Sequence, residues 1–132
     1  MAAPQQQINA CPCGSTLPFA DCCGRYLAGA AAPRAEALMR SRYSAFTRLD
    51  EAYLLATWHP ATRPASLDLH APPIPSWLGL KVIANIQQDD THATVEFIAR
   101  SKINGRAQRL HEVSRFVRED GRWFYLDGET SP

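Results

Sequence analysis

Cys11, Cys13, Cys22 and Cys23 carry the clearest chemistry in this 132-residue chain. They read C-x-C, eight residues, then C-C, and no cysteine follows them. A disulfide framework spreads its bridges over a fold, whereas thiolates gathered in one short segment suit a tetrahedral metal in a compact loop. The expectation is one structural Zn²⁺ held by all four. No His or carboxylate replaces a thiolate and no position is left for water, so zinc catalysis is not expected. Free thiols, with Cys22 and Cys23 as a redox-active vicinal pair, are the alternative.

The segment has the means to form that loop. Thr16 is placed as an N-cap, Pro18 in the first turn and Gly24 as a left-handed end, so that one helical turn presents Cys22 and Cys23. Gly14 keeps its amide uncrowded for donation to a thiolate, and Arg25 is near enough to offset charge. Four thiolates and Zn²⁺ take the formal charge from +1 to about −1.

The rest of the composition removes several function classes. Lys plus Arg number 14 against 13 for Asp plus Glu, so no strong field favours nucleic acid or an anionic membrane. The start MAAPQQQINA lacks the features of a signal peptide, and no stretch is long enough to span a bilayer, which makes the cytoplasm the expected location. The length suits one compact unit, divided here into a zinc-binding segment, 1–29, and an α+β domain, 30–132.

Helical spacing predicts a helix from Arg34 to Arg48, whose stripe of Leu38, Arg42, Ala45, Phe46 and Leu49 contains an arginine at its centre. Asp50 caps a second helix that runs through Tyr53, Leu54, Leu55 and Trp58 to His59-Pro60, and a Pro-rich connection covers Ala61 to Ser76. The period then becomes two. Four antiparallel strands are expected at Leu78–Gln87, His92–Ile103, Arg106–Arg118 and Arg122–Asp127, with Asp89-Asp90, Asn104-Gly105 and Asp120-Gly121 at the turns.

Register from those turns pairs Phe97 with Val82 and Glu112, and Phe116 with Ala93 and Tyr125. One face then gathers Leu80, Val82, Ala84, Ile86, Val95, Phe97, Ala99, Leu110, Phe116, Trp123 and Tyr125, together with Glu112, Ser114 and Asp127. The other carries Lys81, Asn85, Glu96, Arg100, His111 and Arg115, broken by Ile83, Ile98, Val113 and Phe124. Arg42 on the helix and Glu112 on the sheet are each costly to bury alone, so they are expected to pair. Around them Tyr43, Ser114, Trp123, Tyr125 and Asp127 are expected to wall a small cavity. The four scattered histidines, His59, His70, His92 and His111, suit surface or packing roles, and Trp58 and Trp77 suit the core.

The stretches CPCGS with CCG, LMRSRYSAF, YLLATWHP, SWLGLKV, and SRF continuing to GRWFYLDG resemble the YchJ-like family of bacterial proteins. The cysteine segment resembles a SEC-C motif, a zinc-binding module also found at the C-terminus of the translocation ATPase SecA. Cys11, Cys13, Cys22 and Cys23 match its ligands. Many YchJ-like proteins carry a second such motif at the C-terminus, whereas this sequence reads GETSP there, so one zinc is expected. The SecA motif holds lysines between its cysteine pairs, while Gly14 to Asp21 has no basic residue.

The remainder resembles the YchJ middle domain, which implies helices packed on a bent four-stranded antiparallel sheet, a cystatin or nuclear transport factor 2-like cone. The leading expectation for function is a non-enzymatic interaction module whose zinc knuckle contacts another macromolecule, an unidentified protein partner. An enzyme or small-molecule-binding protein using the cone cavity comes second. A knuckle that only staples the N-terminus is the third reading, and a monomer and a homodimer are both compatible with the mixed outer face.

Overall fold

The computed structural model describes residues 10–131. A short 3-10 turn at Phe19–Asp21 leads into helix α1 (Cys23–Leu27), followed by α2 (Ala35–Thr47), α3 (Glu51–Ala56) and strands β1 (Ser76–Gln87), β2 (His92–Ile103), β3 (Arg106–Glu119) and β4 (Arg122–Ser131). The strands form one antiparallel meander in the order β1-β2-β3-β4. Both Asn104-Gly105 and Asp120-Gly121 turn with positive φ throughout, from 52° to 79°, which is why these dipeptides close two-residue hairpins. The expected α+β class and strand count hold, and β4 runs four residues beyond its expected end.

The expected pairings of Phe97 with Val82 and Glu112, and of Phe116 with Ala93 and Tyr125, are all present. Face assignments change on two strands, β1 and β4, because both edge strands carry bulges. A register shift between Val82 and Ala84 sets Ala84 opposite Glu96 and Ile86 opposite Thr94, which turns both away from the core. Ile86 is 58% exposed, and Asn85, expected outside, instead faces α2 and donates to Glu36 Oε1 at 2.9 Å. In β4 a shift between Arg115 and Phe116 sets Asp127 opposite Arg115. Asp127 therefore leaves the core face and takes a bidentate ion pair from Arg115 at 2.5 and 2.6 Å.

Helix α2 packs across β1, β2 and β4, and Leu38, Ala45, Val95, Phe97, Phe116 and Trp123 are buried. Asp50 caps α3 as expected, accepting from the Tyr53 amide at 3.1 Å. The helix stops at Ala56 rather than reaching Trp58, because the segment after it pairs with the edge of β4. The Tyr125 amide donates to the Thr57 carbonyl at 2.8 Å and the His59 amide to the Tyr125 carbonyl at 2.7 Å. His59, His92 and His111 meet the surface carboxylates of Glu119, Asp89 and Glu96.

The N-terminal turn departs from its expected caps. Thr16 adopts φ 71°, Pro18 occupies the N-cap position, and Gly24 lies inside α1 while Gly29, at φ 122°, is the left-handed residue that follows it. Gly24 is needed for space rather than conformation: a Cβ there would stand 2.7 Å from the Phe19 carbonyl oxygen.

Two outcomes follow. Gly24→Ala is expected to lower stability by about 1–3 kcal/mol through overpacking against a backbone atom, read as a lower Tm; an unchanged Tm would show that the turn yields. Ile86→Ala is expected to change unfolding free energy by no more than about 0.5 kcal/mol while Phe116→Ala costs about 3–5 kcal/mol, and comparable losses would refute the bulge.

Candidate metal centre

Two local conformations bring the thiols together. The Cys11–Leu17 loop is closed by the Cys11 amide donating to the Leu17 carbonyl at 2.8 Å, and Gly14, at φ 85°, returns its amide to the Cys11 carbonyl at 3.2 Å. The Gly14 amide is thus spent on the loop rather than on a thiolate. The side chain of Ser15 does donate to sulfur, at 3.1 Å from Cys22 Sγ. On the other side the 3-10 turn passes directly into α1 and places Cys22 and Cys23 at its start.

The four cysteines are free of disulfides and buried, from 0% to 8% exposed, and their sulfur atoms all lie within 4.8 Å of one another. A tetrahedron with metal–sulfur bonds of about 2.3 Å has sulfur–sulfur edges of about 3.8 Å. The Cys13–Cys22 and Cys22–Cys23 separations are 3.7 and 4.0 Å. The cluster therefore has the donors and the size for a four-coordinate metal ion.

Its electrostatics would favour a cation. Hydrogen bonds from Cys13 and Cys23 pull the Cys11 thiol far below its ordinary range, against the effect of burial. Hydrogen bonding to Cys11 and burial push Cys13 and Cys23 upward. One thiolate is easily formed, and its negative charge then opposes the others unless a positive ion shares the space.

Helix α2 supplies the back wall. Ser44 Oγ is 3.5 Å from Cys11 Sγ, and Arg40 Nη1 donates to the Cys13 carbonyl at 2.9 Å. Arg40 is also paired with Glu36, whose other oxygen takes the bond from Asn85, so one chain of contacts runs from the cysteine loop through α2 to β1. Burial opposes the charge on Arg40, but Glu36 and Cys13 raise its pKa overall. Arg25, expected near enough to offset charge, reaches the Cys22 carbonyl at 3.3 Å and the Tyr26 hydroxyl at 3.2 Å. Arg40 and Ser44 escaped the sequence reading because they lie far along the chain and off the apolar stripe.

The opposite side of α2 faces a cavity of about 320 Å³ between helices and sheet. Arg42, Tyr43, Glu112, Ser114 and Tyr125 line it, with Phe46, Trp58, Trp77, Phe97 and half-exposed Leu110 among the other walls. Trp123 and Asp127 do not. Trp123 is buried and lines a second, smaller hollow together with Tyr26 and Leu38, and Asp127 is turned out by the β4 bulge.

The expected ion pair between Arg42 and Glu112 does not form. Arg42 Nη1 donates to the Leu54 carbonyl at 2.8 Å and Thr57 Oγ1 at 2.6 Å, and its guanidinium lies 4.5 Å from the Tyr125 ring centroid and 5.2 Å from that of Trp58. Carbonyl and π-face compensate the charge locally, which leaves Glu112 to other donors. Ser114 Oγ donates to Glu112 Oε2 at 2.5 Å and the Tyr125 hydroxyl at 3.3 Å. Burial lowers the Arg42 pKa to about 10 even though Tyr125, Tyr53 and Glu112 favour its charge.

The comparisons with known proteins agree with this architecture. Residues 34–128 match the YchJ middle NTF2-like domain and residues 9–25 match the SEC-C motif. A UPF0225 protein of Bordetella parapertussis is 57% identical over 132 residues, covering 98% of each chain. One from Xanthomonas campestris is 53% identical over 126 residues, covering 95% of this chain and 98% of the relative. The solution structure of a SEC-C motif containing protein from Rhodopseudomonas palustris matches with a TM-score of 0.82 at 36% identity, covering 93% of this chain and 99% of that one. The crystal structure of a SEC-C motif containing protein from Psychrobacter arcticus matches with a TM-score of 0.74 at 33% identity, covering 97% of this chain and 86% of that one. Among the described residues no helix is long and apolar enough to cross a membrane. With its cysteines inside the SEC-C segment and its cavity inside the NTF2-like domain, the chain belongs to the YchJ-like UPF0225 family.

Proposed function

We propose that this protein is a zinc-stapled cone that takes a small molecule into its cavity. The observation that carries the reading is a cavity of about 320 Å³ with an apolar wall and two ionisable side chains, Arg42 and Glu112, fixed in it without pairing to each other. Small-molecule sites have this composition: mostly apolar lining, few oriented polar groups, and a volume from about 300 Å³ upward. Leu110, 36% exposed, stands where the cavity meets solvent.

Zinc serves as the staple. Four buried thiols at tetrahedral spacing with no open coordination position support a closed, structural Zn²⁺. Metal binding to such a site adds its free energy to folding and, through Ser44 and Arg40, holds α2 in place. The docking of the knuckle on a macromolecule is the second reading, favoured by Leu17, which is 48% exposed on the cysteine loop. It ranks behind the cavity because the thiols themselves are turned into the fold.

Protein purified without chelator is expected to contain one zinc per chain by mass spectrometry, to lose it in Cys22→Ser and Cys23→Ser, and to melt at a lower temperature once a chelator removes it. No zinc in protein kept reduced would return the cysteines to thiol redox chemistry. For the cavity, Ala99→Phe is expected to abolish the uptake of a naphthalene-sized fluorescent probe while leaving zinc content unchanged. Undiminished uptake would place the probe elsewhere and refute the cavity reading.

A further inference from the structure

The polar groups of the cavity leave a defined set of hydrogen-bonding positions open. Arg42 is 6% exposed, and both hydrogens of its Nη1 are used, by the Leu54 carbonyl and by Thr57 Oγ1. Its Nε and Nη2 have no acceptor among the described residues. Glu112 receives Ser114 and Tyr125 on Oε2, and its Oε1 has no donor among them. Yet no side-chain nitrogen or oxygen there is both sealed from solvent and without a partner. The open edges of Arg42 and Glu112 must therefore reach space, and the space that both of them line is the cavity.

Both groups are held in place. Thr57, which accepts from Arg42, is tied through its carbonyl to the Tyr125 amide. Tyr125 lays its ring against the guanidinium and points its hydroxyl at Glu112. The Glu112 carboxylate lies over Gly128, where a Cβ would collide with it. A rigid donor edge and a rigid acceptor thus share one otherwise apolar chamber.

We propose that the cavity recognises a small apolar molecule with a neutral donor–acceptor head of the carboxamide class, its carbonyl accepting from Arg42 and its N–H donating to Glu112. This rests on the cavity reading above and adds the chemistry of the head. A carboxylate head would satisfy Arg42 but meet repulsion from Glu112, and an ammonium head would do the reverse. Both repulsions act beside a mostly apolar lining, where they are stronger than in bulk water. A head with no polar atoms leaves the open edges of both groups unsatisfied. The aromatic walls from Tyr43, Phe46 and Trp77 suit a flat body.

The test titrates zinc-loaded protein with four probes that share one body: 2-naphthamide, 2-naphthoate, 2-naphthylmethylammonium and naphthalene. The amide is expected to bind at least about tenfold more tightly than each of the others, the discrimination that one hydrogen bond to a charged group provides. Glu112→Gln, judged folded by its zinc content and Tm, is expected to narrow the gap between amide and carboxylate, because the repulsion is removed while Arg42 remains. Tightest binding of a charged probe, equal binding of all four, or an unchanged gap in Glu112→Gln would overturn the head-group assignment and leave the cavity reading standing. Binding of none would overturn the cavity reading, and the assignment with it.

Discussion

Every residue of helix α2 from Ala35 to Thr47 is buried or only partly accessible, and the rest of the structure is arranged around that constraint. An ordinary surface helix buries one stripe and leaves the other faces wet. Here the sheet covers one side of α2, the cysteine segment another, and α3 lies alongside. Serines make the close approaches possible. Ser41 and Ser44 are both 0% exposed, one meeting the Tyr53 hydroxyl at 2.6 Å and the other the Cys11 thiol. Larger side chains at either place would force the neighbouring element away.

Among the described residues Arg42 is the one charged side chain that is buried, and it does its structural work without a carboxylate. Its two short bonds tie α2 to the end of α3, and through Thr57 to the exposed edge of β4. Tyr125 is then shared by everything that matters to the cavity: its backbone anchors the chain after α3, its ring meets Arg42 and Trp58, and its hydroxyl reaches Glu112. Arg42 and Glu112 instead keep separate partners while both line the cavity.

Much of this was legible in the sequence where the signal was local. Asn104-Gly105 and Asp120-Gly121 fixed two hairpins, and from them the pairing of Phe97 and Phe116 followed. The cysteine cluster and the family resemblance identified the SEC-C segment. What was not legible depends on events that a period-two pattern does not encode. A single extra residue near Ile83 turned Ala84 and Ile86 outward, and another near Leu126 did the same to Asp127. The partners of Arg42 are a backbone carbonyl and aromatic faces, which leave no mark in a search for opposite charges. Gly24 looked like a helix terminator because glycine often is one, whereas its role is set by the nearness of the Phe19 carbonyl.

The same bulges also shape the open edges of the sheet. The central pair β2 and β3 stays in unbroken register, while the irregularities fall between β1 and β2 and between β3 and β4. An outer strand of even pleat is a template on which a neighbour's strand can polymerise, and a bulged, twisted one is a poor template. The segment at Thr57–His59 also covers part of the β4 edge. The architecture thus guards its open margins against runaway strand addition, even though Ile83 and Ile86 stand exposed on β1.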